Sequence, residues 1–227
     1  MKFAIVLLGF LALSAAAPQE RGTIDNIVGQ AINNAQSELN KIVDQVRDLT
    51  SKIQGEADSI LSVAQDKINS AIDELESQLN DLIAKGGVTA QCAKQNLQDL
   101  EAFKTIIGKN VPNCAANLST SIADLLGSVS GDIISLKNAI SELAPIVAKC
   151  AGGSDVEIAI CAAANVGPIV SSVVTIASSA SSAIKTTSAK APELIDQVNT
   201  CSNQVVGEAT ITLNKFADAV KQCQQGL

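Results

Sequence analysis

The stretch SELNKIVDQVRDLTSKIQGEADSI, residues 37–60, is helix-forming sequence interrupted by a single glycine. Its apolar residues belong to a longer series that recurs at alternating steps of four and three. This spacing is a heptad seam, and it predicts an amphipathic helix with one apolar stripe. Up to the glycine, the seam consists of Val28, Ile32, Ala35, Leu39, Ile42, Val46, Leu49 and Ile53.

Gly55 marks a change in this pattern. After it, a spacing of eleven residues appears, as in Ala57, Ile68 and Leu79, which favours straight or slightly right-handed packing. In this part the seam consists of Ala57, Ile60, Ala64, Ile68, Ala71, Leu75, Leu79 and Leu82. One helix over 23–85 would extend about 93 Å, whereas the remaining predicted helices reach at most about 57 Å. We therefore predict a hinge at Gly55 that folds this region back within a bundle. A single long arm is the alternative.

The remaining helices are predicted from apolar stripes and helix-breaking residues. Gly86-Gly87 ends the N-terminal region, and the glycines at 127 and 131 offer a point where the chain folds back. The sequence SDVE, residues 154–157, matches a capping box, and Pro192 suits the first position of a helix. The sequence thus predicts an all-α long-helix bundle of about six helices, at 23–54, 56–85, 89–110, 113–150, 154–190 and 192–224.

The N-terminal residues have the pattern of a secretory signal peptide. Lys2 precedes the uncharged run FAIVLLGFLAL, and the small residues of SAAAPQE follow it. The apolar run is shorter than the roughly 20 residues that a membrane-spanning helix needs. We predict a secreted, extracellular protein with a signal peptide at 1–16, a charged, coiled-coil-like amphipathic region at 17–87 and a cysteine-bearing helical domain at 88–227.

The cysteines indicate three disulfide bonds, because an even number in an exported chain is typical of a disulfide framework. If residues 154–190 and 192–223 run antiparallel, Cys161 and Cys223 come level, and this is the one pair that the sequence favours. No C-x-x-C pair and no histidine is present, so we expect no metal site. The six are Cys92, Cys114, Cys150, Cys161, Cys201 and Cys223.

A long segment without charge runs from Ile158 to Ile184. Its favoured interpretation is a central helix pair whose faces are all covered by neighbours. The alternative is a membrane-inserting hairpin hinged at Gly167-Pro168. Six serines in its second half weaken a spanning-helix interpretation, so we expect no stable membrane anchoring.

Composition argues against several classes of function. The absence of histidine excludes Ser-His-Asp and Cys-His catalysis. The acidic group of Asp73, Glu74 and Glu76 is typical of the solvated face of a helix. We therefore expect neither an enzyme nor a cofactor. The net charge of −7 and the lack of Trp and Tyr oppose nucleic-acid binding.

Two asparagines are candidates for modification. Asn117-Leu118-Ser119 is an N-glycosylation acceptor, although it falls within a predicted helix close to Cys114. Asn199-Thr200-Cys201 is a rarer acceptor form, whose use would compete with disulfide formation.

The chain resembles small secreted helical proteins of insects, specifically the tsetse EP-like family. The resemblance rests on the SAAAPQ end of the leader, on a helical body rich in Ala, Ser, Leu and Asn, and on an even number of cysteines distributed through it. It covers most of residues 88–223. It implies an extracellular protein without established enzymatic activity, and it carries no functional residue over.

Three functional hypotheses remain. The first is a non-catalytic binding or structural protein that self-associates, or pairs with another helical protein, through residues 23–85. The second is an extracellular carrier of an apolar ligand or lipid. The third is a membrane-inserting or surface-active helical protein. The N-terminal region is acidic and lacks aromatic anchors, which argues against a lipid-surface helix there.

Overall fold

The computed structural model describes residues 22–150 and 154–225, and these form five α-helices with no β-strand among them. The predicted all-α class is therefore confirmed. The predicted signal peptide at 1–16 lies outside the described residues. The helices are α1 (Gly22–Lys85), α2 (Gly87–Asn113), α3 (Leu118–Leu125), α4 (Gly127–Cys150) and α5 (Asp155–Gln225).

α1 is continuous through Gly55, so the predicted hinge at this residue is wrong. Ile53 and Ala57, on either side of the glycine, are both fully buried. A glycine inside a helix costs only about 1 kcal/mol relative to alanine, whereas burying one large aliphatic side chain contributes about 2 kcal/mol. Packing on both sides of Gly55 therefore keeps the helix intact.

The predicted boundary between helices 154–190 and 192–224 is also wrong, because α5 continues through Pro192. Proline removes one backbone hydrogen bond, but its fixed φ is itself helical. Thr187, Ala191 and Val198 are buried before and after the proline, so one face of α5 stays packed across it.

The predicted helix 113–150 is divided. A turn at 114–117 precedes α3, and Leu126 separates α3 from α4 immediately before Gly127. α2 extends to Asn113 and includes Pro112 in its last turn. The predicted break at Gly86-Gly87 is confirmed, because both glycines have positive φ, 77° and 70°. This is the left-handed region that glycine adopts without a steric penalty.

The described residues form two compact units. The first contains 22–48, 125–150 and 154–187, and the second contains 49–124 and 188–225. α1 and α5 each contribute a segment to both. This division does not follow the predicted boundary at residue 87, since the second unit includes residues from either side of it.

The first unit has a core in which α1, α4 and α5 meet. Val28 and Ala31 of α1 pack with Leu143 and Ile146 of α4 and with Val166 of α5. Val28, the first residue of the predicted α1 seam, therefore lies in this core.

The second unit has the larger core, built from α1, α2 and the C-terminal part of α5. Phe103 of α2 and Phe216 of α5 lie with their ring centroids 6.1 Å apart, beside this core. Its fully enclosed large aliphatic side chains include Ile72, Leu79 and Leu100. All seam residues predicted from 57 to 82 are buried or half-buried.

Candidate binding surfaces and modification site

The uncharged segment of α5 is packed on one side only. In the most apolar stretch of 18 residues along this helix, 22% of the residues are buried. The interpretation that neighbours cover all its faces is therefore wrong. Its exposed side, which we call the uncharged α5 face, consists of Ala159, Ile160, Ala163, Ala164, Gly167, Pro168, Ser171, Ser172, Thr175, Ser178, Ser179 and Ser182.

One residue of this face is a large exposed aliphatic. The side chain of Ile160 is 64% exposed, and that of Val156, one turn earlier, is 62% exposed. The other members are small or weakly polar. Among the described residues, α5 is also the one helix long and apolar enough to cross a membrane, by length and composition.

At the start of α5, Glu157 reaches back to Ser154, which is the Glu157 half of the predicted capping box. The backbone N–H and the hydroxyl of Ser154 each donate a hydrogen bond of 2.8 Å to Oε2 of Glu157. These two bonds, the backbone one first, lower the pKa of the Glu157 carboxyl. The bond to the Ser154 N–H is the half of a capping box in which the acidic side chain reaches back to the backbone at the start of the helix.

The opposite side of α5 is held against α4. A disulfide joins Cys150, the last residue of α4, to Cys161 of α5, with their Cα atoms 5.7 Å apart. Lys149 donates from Nζ to Oδ1 of Asn165 at 3.3 Å, and Asn165 donates from Nδ2 to the carbonyl of Cys161 at 2.7 Å. The uncharged α5 face is thus presented by a covalently fixed helix.

The second unit contains a groove of about 300 Å³ between α1 and α5. Lys52, Glu56 and Asp196 supply charge to its lining, and Lys52 lies 4.0 Å from Glu56. Its apolar lining comes from Leu49, Ile53, Ile60, Ala191, Pro192 and Ile195. The groove therefore combines an apolar surface with charges of both signs.

All six cysteines are bridged, and the prediction of three disulfides is confirmed. Besides the bond between α4 and α5, the structure contains Cys92–Cys223 and Cys114–Cys201. The predicted pair of Cys161 with Cys223 is wrong. Cys161 is bonded to Cys150 and Cys223 to Cys92, and the predicted pair assumed that the chain reverses before Pro192, whereas α5 continues through this residue.

Two asparagines next to disulfides make hydrogen bonds that the sequence analysis did not predict. Asn96 donates to the carbonyl of Cys92 at 3.0 Å, and its Nδ2 lies 3.5 Å from Sγ of Cys223. Asn165 makes the equivalent backbone bond to Cys161 in the first unit. The signal was present as a repeated Cys-x-x-x-Asn spacing, CAKQN at 92–96 and CAAAN at 161–165.

Asn117 lies in the turn between α2 and α3 and is exposed, rather than inside a helix as predicted. Asn199 lies within α5 and is half-buried in the lining of the groove. Its Oδ1 accepts a hydrogen bond of 3.2 Å from Nδ2 of Asn203. The two acceptor sequences therefore occupy different backbone environments.

The predicted acidic face of α1 makes an ion pair with α2. Nζ of Lys104 lies 3.0 Å from Glu76 and 3.5 Å from Asp73, and the hydrogen bond to Glu76 is the main cause of a raised Lys104 pKa. Glu74 and Asp73 are exposed. Within residues 22–150 and 154–225, no group of three or more acidic, histidine or cysteine residues is placed to hold a metal ion.

A family model described as "Protein of unknown function (DUF725)" matches residues 88–206, which is more than half of the chain. This range includes α2, α3, α4 and the uncharged α5 face, and it ends before the last turns of α5. No curated protein and no solved structure matches the chain.

Proposed function

Since the chain belongs to the DUF725 family, whose description states no function, we propose that it is a secreted, non-catalytic helical protein that self-associates through the uncharged α5 face. The observation that carries this proposal is an exposed helix surface with no charged residue over about seven turns. Elsewhere the exposed surface of these helices is rich in charged residues. This proposal moves the partner surface from residues 23–85 to α5.

The partner that we propose for the uncharged α5 face is a second copy of the chain. The protein has a net charge of −7, so two copies repel each other across most orientations. Contact through the uncharged α5 face brings together two surfaces without charge. Small side chains let two helices approach closely, and a two-fold axis would place the same face on both sides of the interface.

The proposal of secretion is supported by two independent features. Residues 1–16 have the composition of a signal peptide. Three disulfide bonds are more typical of extracellular than of cytosolic proteins. An extracellular role also agrees with the resemblance to secreted insect proteins of the tsetse EP-like family.

The test of self-association is sedimentation equilibrium of the mature protein over a wide concentration range. We expect a dimer whose stability does not decrease as salt is added, because no charge lies in the contact. Ile160→Lys should convert it to a monomer. The matched control is Ile211→Lys, since Ile211 is 61% exposed on the same helix but outside the uncharged α5 face.

A wild-type protein that remains monomeric at every concentration contradicts self-association. So does a dimer that Ile160→Lys and Ile211→Lys weaken equally. Release of dye from neutral liposomes by wild-type protein, abolished by Ile160→Lys, would instead favour the membrane-inserting alternative.

The groove supports a second candidate function, an extracellular carrier of an apolar ligand. Its volume of about 300 Å³ lies at the lower end of the range for small-molecule sites. Native mass spectrometry of protein purified from its source should then detect a retained small amphiphile. Ile195→Asp in the groove should release it, whereas Val63→Asp at an exposed position outside the lining should not. Ligand-free protein that binds no aliphatic fluorescent probe contradicts the carrier function.

A further inference from the structure

We propose that Asn117 carries an N-linked glycan in the exported protein and that Asn199 does not. The inference rests on the secretion part of the proposed function, because the oligosaccharyltransferase that attaches N-linked glycans acts in the lumen of the secretory pathway. It concerns a different surface from the uncharged α5 face. Three features support it. They are the backbone conformation at each asparagine, the order in which the cysteines enter the lumen, and whether the third residue of each acceptor sequence keeps its O–H or S–H group.

The backbone around Asn117 favours modification. Residues 114–117 form a turn in which the Leu118 N–H donates to the Ala115 carbonyl at 3.0 Å, instead of continuing α2. The carbonyl of Asn117 accepts from Ser121 at 2.9 Å, so Asn117 caps α3 with its backbone. Asn117 and Ser119 are exposed, and the folded protein therefore accommodates a glycan at this corner.

The disulfide nearest to Asn117 forms too late to hinder the transferase. Cys114 is bridged to Cys201, which follows it by 87 residues. During export the N-terminal part of the chain enters the lumen first. Asn117 therefore reaches the transferase while Cys114 is still unable to form its native bond, and the proximity of this cysteine does not obstruct the site.

At Asn199 the same disulfide has the opposite effect. The third residue of its acceptor sequence is Cys201. Its disulfide partner, Cys114, precedes it in the chain and is therefore already in the lumen of the secretory pathway when Cys201 arrives. Formation of the bond removes the S–H group that the acceptor sequence requires. Asn199 also lies inside α5, where its carbonyl oxygen is bonded to Asn203.

The reaction needs a lipid-linked diphosphate oligosaccharide as the donor. Nδ2 of Asn117 attacks the anomeric carbon, and the new C–N bond replaces the bond from this carbon to the diphosphate oxygen. The lipid diphosphate leaves with the bonding electron pair, and Nδ2 loses one proton to a base of the transferase. No oxidant or reductant takes part.

The test is expression of the full chain in a eukaryotic secretory cell line, followed by intact mass measurement of protein from the medium. We expect a mass above that of the polypeptide, which peptide N-glycanase removes while converting Asn117 to Asp. Asn117→Gln and Ser119→Ala should each abolish the added mass. Asn199→Gln, the matched control, should leave it unchanged.

Exported protein that has the bare polypeptide mass overturns the inference and leaves the proposed secretion intact. The same holds if the glycan is found at Asn199. If the chain is not exported, the proposed secretion is contradicted. The glycan is then tested in a second chain, in which residues 1–16 are replaced by the leader of a protein known to be exported. Glycan at Asn117 in that chain supports the inference, and its absence overturns it.

Discussion

The hydroxyl of Thr187 lies 3.1 Å from the carbonyl oxygen of Leu125, a residue 62 positions earlier in the chain. Leu125 ends α3, where helical carbonyls lose their partners within the helix. Thr187 is itself buried and also lies 3.0 Å from the carbonyl of Ala183. A side chain of α5 thus provides a donor at the break between α3 and α4.

Replacing Thr187 by valine should destabilise the protein by about 0.5–1.5 kcal/mol, because it removes the hydroxyl that bonds the Leu125 carbonyl while the shape is nearly conserved. Urea unfolding measures the change in the free energy of unfolding. Thr187→Ser retains the hydroxyl, and its free energy of unfolding should decrease less than that of Thr187→Val. A larger loss of stability for serine than for valine would show that the methyl group, and not the hydrogen bond, matters at this position.

Gly55→Ala should stabilise the protein by about 1 kcal/mol, because alanine is the better helix former. An added Cβ at this exposed position meets no atom within 4 Å. Gly86→Ala is the matched control, since a Cβ has equal space there but φ is +77°, and we expect it to destabilise. Thermal unfolding followed by circular dichroism distinguishes the two. A loss of stability in Gly55→Ala would indicate that the helix does bend at this glycine.

The disulfides should differ in their contribution to stability according to the length of chain they enclose. Cys150–Cys161 spans 11 residues and Cys114–Cys201 spans 87. In the loop-entropy model they contribute about 3 and about 4.5 kcal/mol respectively. Double alanine variants of each pair, unfolded in urea, provide the comparison. If removal of Cys150–Cys161 lowers the free energy of unfolding more than removal of Cys114–Cys201, the entropic account is contradicted for this protein.

Glu157 should make stability depend on pH under acidic conditions. Its folded-state pKa is lowered below the ordinary value of 4.5, first by the backbone bond from Ser154 and then by the hydroxyl bond. The stabilisation is therefore complete above that value and is lost as the pH falls through the lower folded-state pKa. Glu157→Gln should reduce stability at pH 7, and its difference from the wild type should disappear as the carboxyl becomes protonated. A difference that stays constant down to strongly acidic pH would contradict this assignment.

The parts of the fold that depend on local pattern were predictable. The seam from Val28 to Leu82 is buried or half-buried as expected, and the Glu157 half of the capping box at Ser154 forms because both partners lie within one turn. The helix breaks were less predictable. Gly55 and Pro192 are unfavourable inside helices, but Ile53 and Ala57 are buried beside the glycine and Thr187, Ala191 and Val198 on either side of the proline, and burial is a property of the whole fold.

The candidate sites were predictable to a lesser extent. The absence of charge from Ile158 to Ile184 is visible in the sequence, but hydropathy does not give the number of neighbours, so the exposed face was not predicted. The disulfide pairing failed for a related reason. The alignment of Cys161 with Cys223 assumed that the chain reverses near Pro192. Because α5 continues through this residue, the alignment does not hold.

The three disulfides are nested. The bond between Cys150 and Cys161 lies within the loop closed by Cys114–Cys201, which in turn lies within that closed by Cys92–Cys223. If the chain is exported from its N-terminus, as proposed, the second cysteine of each pair arrives when its native partner is the most recently exported thiol that is still unpaired. Native pairing can proceed from the innermost bond outward, and no disulfide has to be broken and remade on the way.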